Sequence, residues 1–132
     1  MELKLTIEQV EKIAQHLIKI GGTGAYHARD YFKYKDEKRE WDEVLSVSMM
    51  LYEVGTIAAE LEGVSQYAFG LRAAHVAKIG NIYIVDVGEL FAYAIKQFID
   101  GQLPFLPQLD SNKRDKRRTR KALQEQEEEE ED

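Results

Sequence analysis

The chain has 132 residues, 44% of them hydrophobic and 32% charged, with a formal net charge of −6. That length supports one domain with an appendage and a core able to fold alone. The absence of cysteine excludes disulfides, thiolate metal sites and cysteine nucleophiles. No apolar run approaches the roughly 18 to 20 residues that cross a bilayer. Glutamates stand in the N-terminal stretch where a secretory signal carries its apolar block. These features predict a cytoplasmic protein with no membrane partner.

Thr6 to Gln9 reads as a capping box, and the apolar residues that follow, Ile7, Val10, Ile13, Ala14, Leu17 and Ile18, recur at helical spacing. Gly21-Gly22 ends this helix. Residues 25–35 form a second helical segment rich in aromatics and bases, and DEKRE at 36–40 is a solvated link or the first turn of a third helix. Trp41, Val44, Leu45, Met49 and Tyr52 mark one face of that third helix. From Val54 the pattern changes, and Thr56–Glu62 reads as a separate short helix. Gly63-Val64-Ser65 is a tight turn, with Ser65 able to cap a helix over residues 66–74. Val76–Ile79 and Ile82–Val85 are β-prone around a Gly80-Asn81 hairpin turn. Asp86 and Glu89 resemble a second capping box, and Leu90, Phe91, Ala94, Ile95 and Phe98 give an amphipathic last helix that Gly101 stops. The expected fold is mainly α: a helical N-terminal region at 1–50 for packing or dimerisation, a second unit at 51–101 with one small hairpin, and a strap and tail at 102–132.

The charge is segregated. Residues 1–112 carry a net −5, residues 113–121 (KRDKRRTRK) +6, and residues 122–132 (ALQEQEEEEED) −7. From about Asp110 the chain has too few large apolar side chains to offset its ordering entropy, which predicts a disordered tail. Its basic block suits phosphate contact; its acidic block competes for that block or simply keeps the chain soluble.

Other stretches carry less. Residues 26–35 interleave aromatics with bases, a mixture that suits single-stranded nucleic acid but more often enters a core or subunit interface. Gly21-Gly-Thr-Gly24 lacks the lysine and preceding strand of a phosphate loop and reads as a linker. His16, His27 and His75 are widely separated, so no metal or cofactor is predicted. No nucleophile–base pair or catalytic carboxylate pair stands out, and the chain reads as a binding protein rather than an enzyme.

The order short helix, G-V-S turn, helix, hairpin, helix over residues 51–98 is the layout of a winged helix-turn-helix. Residues 51–65, LYEVGTIAAELEGVS, resemble the opening of the MerR and phage-excisionase type of DNA-binding module. Ala59 stands where the two helices touch, Gly63 makes the turn, Val64 and Ser65 follow as apolar residue and cap, Phe69 is the buried residue of the recognition helix, and residues 76–85 form the wing. Between Glu62 and Asp86 there is no acidic residue.

This resemblance implies sequence-specific binding of double-stranded DNA by a small transcription regulator or recombination accessory factor, viral or plasmid-borne. Ser65, Gln66 and Tyr67 would open the recognition helix, Arg72 would reach a base or phosphate, and His75, Lys78 and Asn81 would make wing or backbone contacts. Lys113, Arg114, Lys116, Arg117 and Arg118 would add an electrostatic arm. One such unit buries too little DNA for high specificity, which predicts a homodimer or higher multimer joined through the apolar face of residues 7–18 or the Trp41–Tyr52 helix. The alternative is a helical protein-binding or assembly protein, viral structural or host-inhibitory, whose helical faces bind protein and read no DNA.

Overall fold

The computed structural model describes residues 1–65 and 74–102. Within them the chain runs β1 (Glu2–Thr6), α1 (Ile7–Ile20), α2 (Thr23–Asp36), α3 (Glu40–Glu62), β2 (His75–Ile79), β3 (Ile82–Asp86) and α4 (Glu89–Ile99). The fold is mainly helical, with a small three-stranded antiparallel sheet in the order β1-β3-β2. The expected helix at 66–74 falls largely on residues outside those described, as do the strap and charged tail from Leu103 onward.

α1 starts where the capping box places it. The Gln9 amide donates to the Thr6 hydroxyl at 3.1 Å, and the Thr6 amide donates to the Gln9 side chain at 2.9 Å. Its apolar stripe, Val10, Ile13, Ala14 and Leu17, is fully buried. That stripe is spent on the core, while Ile18 at its edge stays 38% exposed. α2 then folds back along α1 and α3. It approaches them closely at Gly24: a Cβ there would lie 2.7 Å from Glu53 Cγ and 2.8 Å from Leu17 Cδ2. Replacing Gly24 with valine is expected to lower stability by about 2 kcal/mol, the cost of prising packed helices apart, read as a lower urea midpoint; an unchanged midpoint would show that the helices yield freely.

Two helices expected from the sequence are one. α3 runs unbroken for 23 residues, straight through the positions 50–51 where the sequence divides. Gly55 does not interrupt it because Val54, Gly55, Ile57, Ala58 and Ala59 are all buried, and burial outweighs glycine's preference for leaving a helix. Contrary to the expectation that no segment could do so, α3 is long and apolar enough, by length and composition, to cross a bilayer; 56% of that apolar window is buried inside the protein. An apolar helix packed on several sides is what a central core helix requires.

The expected apolar face of α3 is only partly the buried one: Val44 packs against the core and Tyr52 is half-buried, but the other three residues turn outward. Trp41 is 75% exposed, Leu45 46% and Met49 40%, whereas Glu43, Ser46, Val47, Met50 and Leu51 turn inward.

The sheet contains a strand that the sequence reading missed. Glu2, Lys4 and Thr6 alternate with buried Leu3 and Leu5, and β1 pairs with β3 so that Leu3 lies opposite Val85 and Leu5 opposite Tyr83. The β2–β3 hairpin stands where it was expected, with Val76 opposite Val85 and Lys78 opposite Tyr83. At the other end, Asp86 closes β3 instead of capping a helix. Gly88 is the cap of α4, without a side-chain bond.

Candidate nucleic-acid interface

The turn after α3 is closed by a left-handed glycine. Gly63 adopts φ 69°, ψ 27°, the left-handed region that glycine occupies without steric cost. Its amide donates to the Glu60 carbonyl, and the Val64 amide donates to the Ala59 carbonyl, both at 3.1 Å, so the last turn is closed by a Schellman motif. Ala59 is buried and Val64 is 43% exposed. Ser65 is exposed at the exit of the turn. The chain is described again from Ala74, whose carbonyl accepts a 2.7 Å hydrogen bond from the Ser48 hydroxyl, holding the start of β2 against the middle of α3.

The proposed contact residues meet different fates. Ser65, His75 and Asn81 are exposed, His75 at the start of β2 and opposite Asp86 in register, Asn81 in the hairpin turn. Gln66, Tyr67, Arg72 and the five arm residues Lys113, Arg114, Lys116, Arg117 and Arg118 lie outside the described residues, as does Phe69. Lys78 turns into the molecule. Its ammonium sits 2.9 Å from a Glu43 carboxylate oxygen, with side-chain exposures of 18% and 5%, so its charge is drawn inward and not offered at the wing surface. The outward face of the sheet is nearly neutral: Glu2, Asp86 and His75 lie in one row, Lys4, Ile84 and Ala77 in the next, then Thr6, Ile82 and Ile79.

Glu43 is a residue of consequence that the sequence reading passed over. It belongs to a polar chain through the core. The Tyr83 hydroxyl donates to Glu43, the Tyr31 hydroxyl donates to Glu11 at 3.4 Å, Glu11 is paired with Lys35, and the two phenols lie near enough to influence each other's ionisation. The line Lys78–Glu43–Tyr83–Tyr31–Glu11–Lys35 ties β2, α3, β3, α2 and α1 together. Burial pushes both phenols well above the usual tyrosine value. For Tyr83 the bond to Glu43 adds to the rise; for Tyr31 the neighbouring Tyr83 hydroxyl opposes it and the Glu11 and Glu43 charges add to it. The one signal in the sequence was spacing, since Glu43 shares a helical row with Val47, Met50 and Val54.

Among the described residues no three His, Asp or Glu side chains converge on a common point for a metal. His16 lies on α1, His27 on α2 and His75 on β2. The His16 ring stacks edge-on against Phe98 at 5.6 Å, and burial, with Lys19 and Lys12 beside it, holds it below the usual histidine value.

No protein family matches this chain, and neither a curated protein nor a solved structure does so.

Proposed function

We propose that the chain binds double-stranded DNA without catalysing a reaction, as a small cytoplasmic regulator or recombination accessory factor. The observation that carries this reading is the end of α3: buried Ala59, left-handed Gly63 and exposed Ser65, followed in order by residues 66–73 and a hairpin whose turn is exposed. The contact set is Ser65, Gln66, Tyr67, Arg72, His75 and Asn81, with the basic arm at Lys113, Arg114, Lys116, Arg117 and Arg118 supplying phosphate contacts. Lys78 leaves this set because Glu43 holds it. With a near-neutral sheet face, the wing contributes shape and a few hydrogen bonds, and the charge comes from Arg72 and the arm.

The test is binding of the full chain to mixed-sequence and selected duplexes across a salt series. Affinity is expected to fall steeply as salt rises. Gln66→Ala with Arg72→Ala is expected to lose preference for the selected site, by roughly tenfold or more, while leaving non-specific binding in place. Replacing the five arm residues with glutamine should weaken binding to all sequences alike. If the arm variant loses all binding and the Gln66/Arg72 variant loses none, there is no groove reading. If the unaltered chain shows no salt-dependent retention, the chain is not a DNA-binding protein.

A protein-binding role is the second reading. It is favoured by the exposed apolar row on α3, Trp41, Leu45 and Met49, because residues of this size are seldom left together in water without a partner.

A further inference from the structure

One edge of the sheet is open. Met1 and Val87 exchange both backbone hydrogen bonds, at 2.9 and 3.0 Å. In an antiparallel pair such bonded positions alternate with unbonded ones, so in the register of β1 on β3 Leu3–Val85 and Leu5–Tyr83 are the bonded pairs. The amides and carbonyls of Glu2, Lys4 and Thr6 therefore point away from β3. The Thr6 amide is taken by the Gln9 side chain, while the backbone groups of Glu2 and Lys4 have no partner on that side among the described residues. By the same alternation the free edge of β2 faces α3, where the Ala74 carbonyl accepts from Ser48. β1 is thus the edge to which another strand can add.

We infer that a second copy of this chain pairs there, β1 on β1 and antiparallel, about a two-fold axis at Leu3, so that two three-stranded sheets become one. None of the proposed DNA contacts lies on β1, so the pairing stands whether or not the chain binds DNA.

Charge selects both the partner and the register. Glu2 and Lys4 are exposed on the outer face of the sheet, and neither has an ion pair among the described residues. Charged side chains on an edge ordinarily repel a second strand. Here they have opposite signs and stand two residues apart, so reversal about Leu3 sets Glu2 of each copy opposite Lys4 of the other. The neighbouring registers that keep the backbone bonds, centred on Glu2 or on Lys4, place like charges opposite each other, which is unfavourable. The same patch then serves both copies, as a two-fold interface requires. Glu2 lies opposite Asp86 within its own sheet, and that like charge favours a cation on its other side. On the inner face the pairing brings the two Leu3 side chains together and sets Met1, which is 58% exposed, opposite Leu5 of the other copy. The contact is short, so the dimer is expected at the weak end of specific interfaces, present at about 1 mM chain and lost on dilution or in high salt.

Charge reversal tests the register in the full chain. Glu2→Lys leaves only positive charge on the edge and Lys4→Glu only negative, so each variant alone is expected to dimerise roughly tenfold more weakly or worse. Mixed in equal amounts, the two are expected to pair with each other as strongly as the unaltered chain pairs with itself, because opposite signs again meet at both positions. Both side chains are exposed, so the helical circular dichroism should not change, and sedimentation reads the assembly. The chain has no cysteine, which allows a second test. A mixture of Glu2→Cys and Lys4→Cys is expected to cross-link under mild oxidation, since the Cα atoms of bonded pairs stand about 5.5 Å apart. Either variant alone meets its own kind only on the diagonal, at roughly 7–8 Å, and is expected to cross-link far more slowly.

A chain that stays monomeric at about 1 mM overturns the proposal. So does a dimer that neither charge reversal weakens, which would lie on another surface. Failure of the two charge variants to pair when mixed, or cross-linking of Glu2→Cys to itself as fast as to Lys4→Cys, would remove the axis from Leu3 and the proposal with it.

Discussion

Replacing Glu43 with alanine is expected to destabilise the protein by about 3 kcal/mol, a large share of what a domain of this size has to lose. The carboxylate accepts from the buried Tyr83 hydroxyl and pairs with the Lys78 ammonium at 2.9 Å, with 5% of its own side chain exposed. Alanine leaves a phenol donor without its acceptor and an ammonium without its counter-charge, both in surroundings that solvate them poorly. Glutamine is expected to cost less, because its side-chain oxygen still accepts from Tyr83 and only the charge pairing is lost. The double variant Glu43→Leu with Lys78→Met should recover much of the loss, since removing a buried pair together avoids the stranded charge. Urea unfolding followed by circular dichroism reads all three. A change below about 1 kcal/mol for Glu43→Ala would mean that water replaces the carboxylate at no cost, contrary to the burial seen.

At alkaline pH the same polar line makes a second large effect. Tyr31 and Tyr83 both have phenols held well above the ordinary value, first by burial and then by neighbouring carboxylates. A phenol whose folded value lies above its unfolded value favours the fold in its neutral form. Its contribution is complete below the unfolded value, near pH 10, and is lost progressively as pH rises past it. The folded protein should therefore resist ionising these two groups and unfold cooperatively instead. Of the seven tyrosines in the chain, Tyr31 and Tyr83 are expected to titrate only together with the loss of helical circular dichroism, and their phenolate absorbance should rise in the same narrow pH interval. Tyr31→Phe should move that interval to higher pH. If both groups ionised smoothly with the helical signal intact, the phenols would have to be open to solvent, and the line through the core would not exist as described.

Local backbone features and side-chain direction differ in how far the sequence decides them. Gly63 stops α3 in the left-handed conformation expected of it, because a helix stop and a left-handed glycine are set by a handful of adjacent residues. The direction of Lys78 could not be read in that way. In a strand, alternate residues face opposite sides, and which side is the interior depended on Glu43, 35 positions earlier. A lysine between apolar residues looks like a surface group until its buried carboxylate is known. The lack of acidic residues between Glu62 and Asp86 remains true of the sequence, but its one lysine is already paired within the fold.

What the amino-acid order determined by itself is local: the Thr6–Gln9 cap, the ends of α1 and α3 at Gly21 and Gly63, the hairpin about Gly80-Asn81, and a predominantly helical chain. Each rests on dihedral preferences and hydrogen bonds among residues a few places apart. Tertiary structure decided the rest. Only pairing with β3, some 80 residues away, turns Leu3 and Leu5 into a strand. Only packing on several neighbours keeps α3 whole through Gly55. Both sides of the N-terminal half of α3 carry apolar residues at helical spacing, so periodicity offered two faces, and the core took Val47, Met50 and Leu51 while leaving Trp41, Leu45 and Met49 outside. Burial is a property of distant contacts, and a repeat of 3.6 residues states that a helix has a face without stating what lies against it.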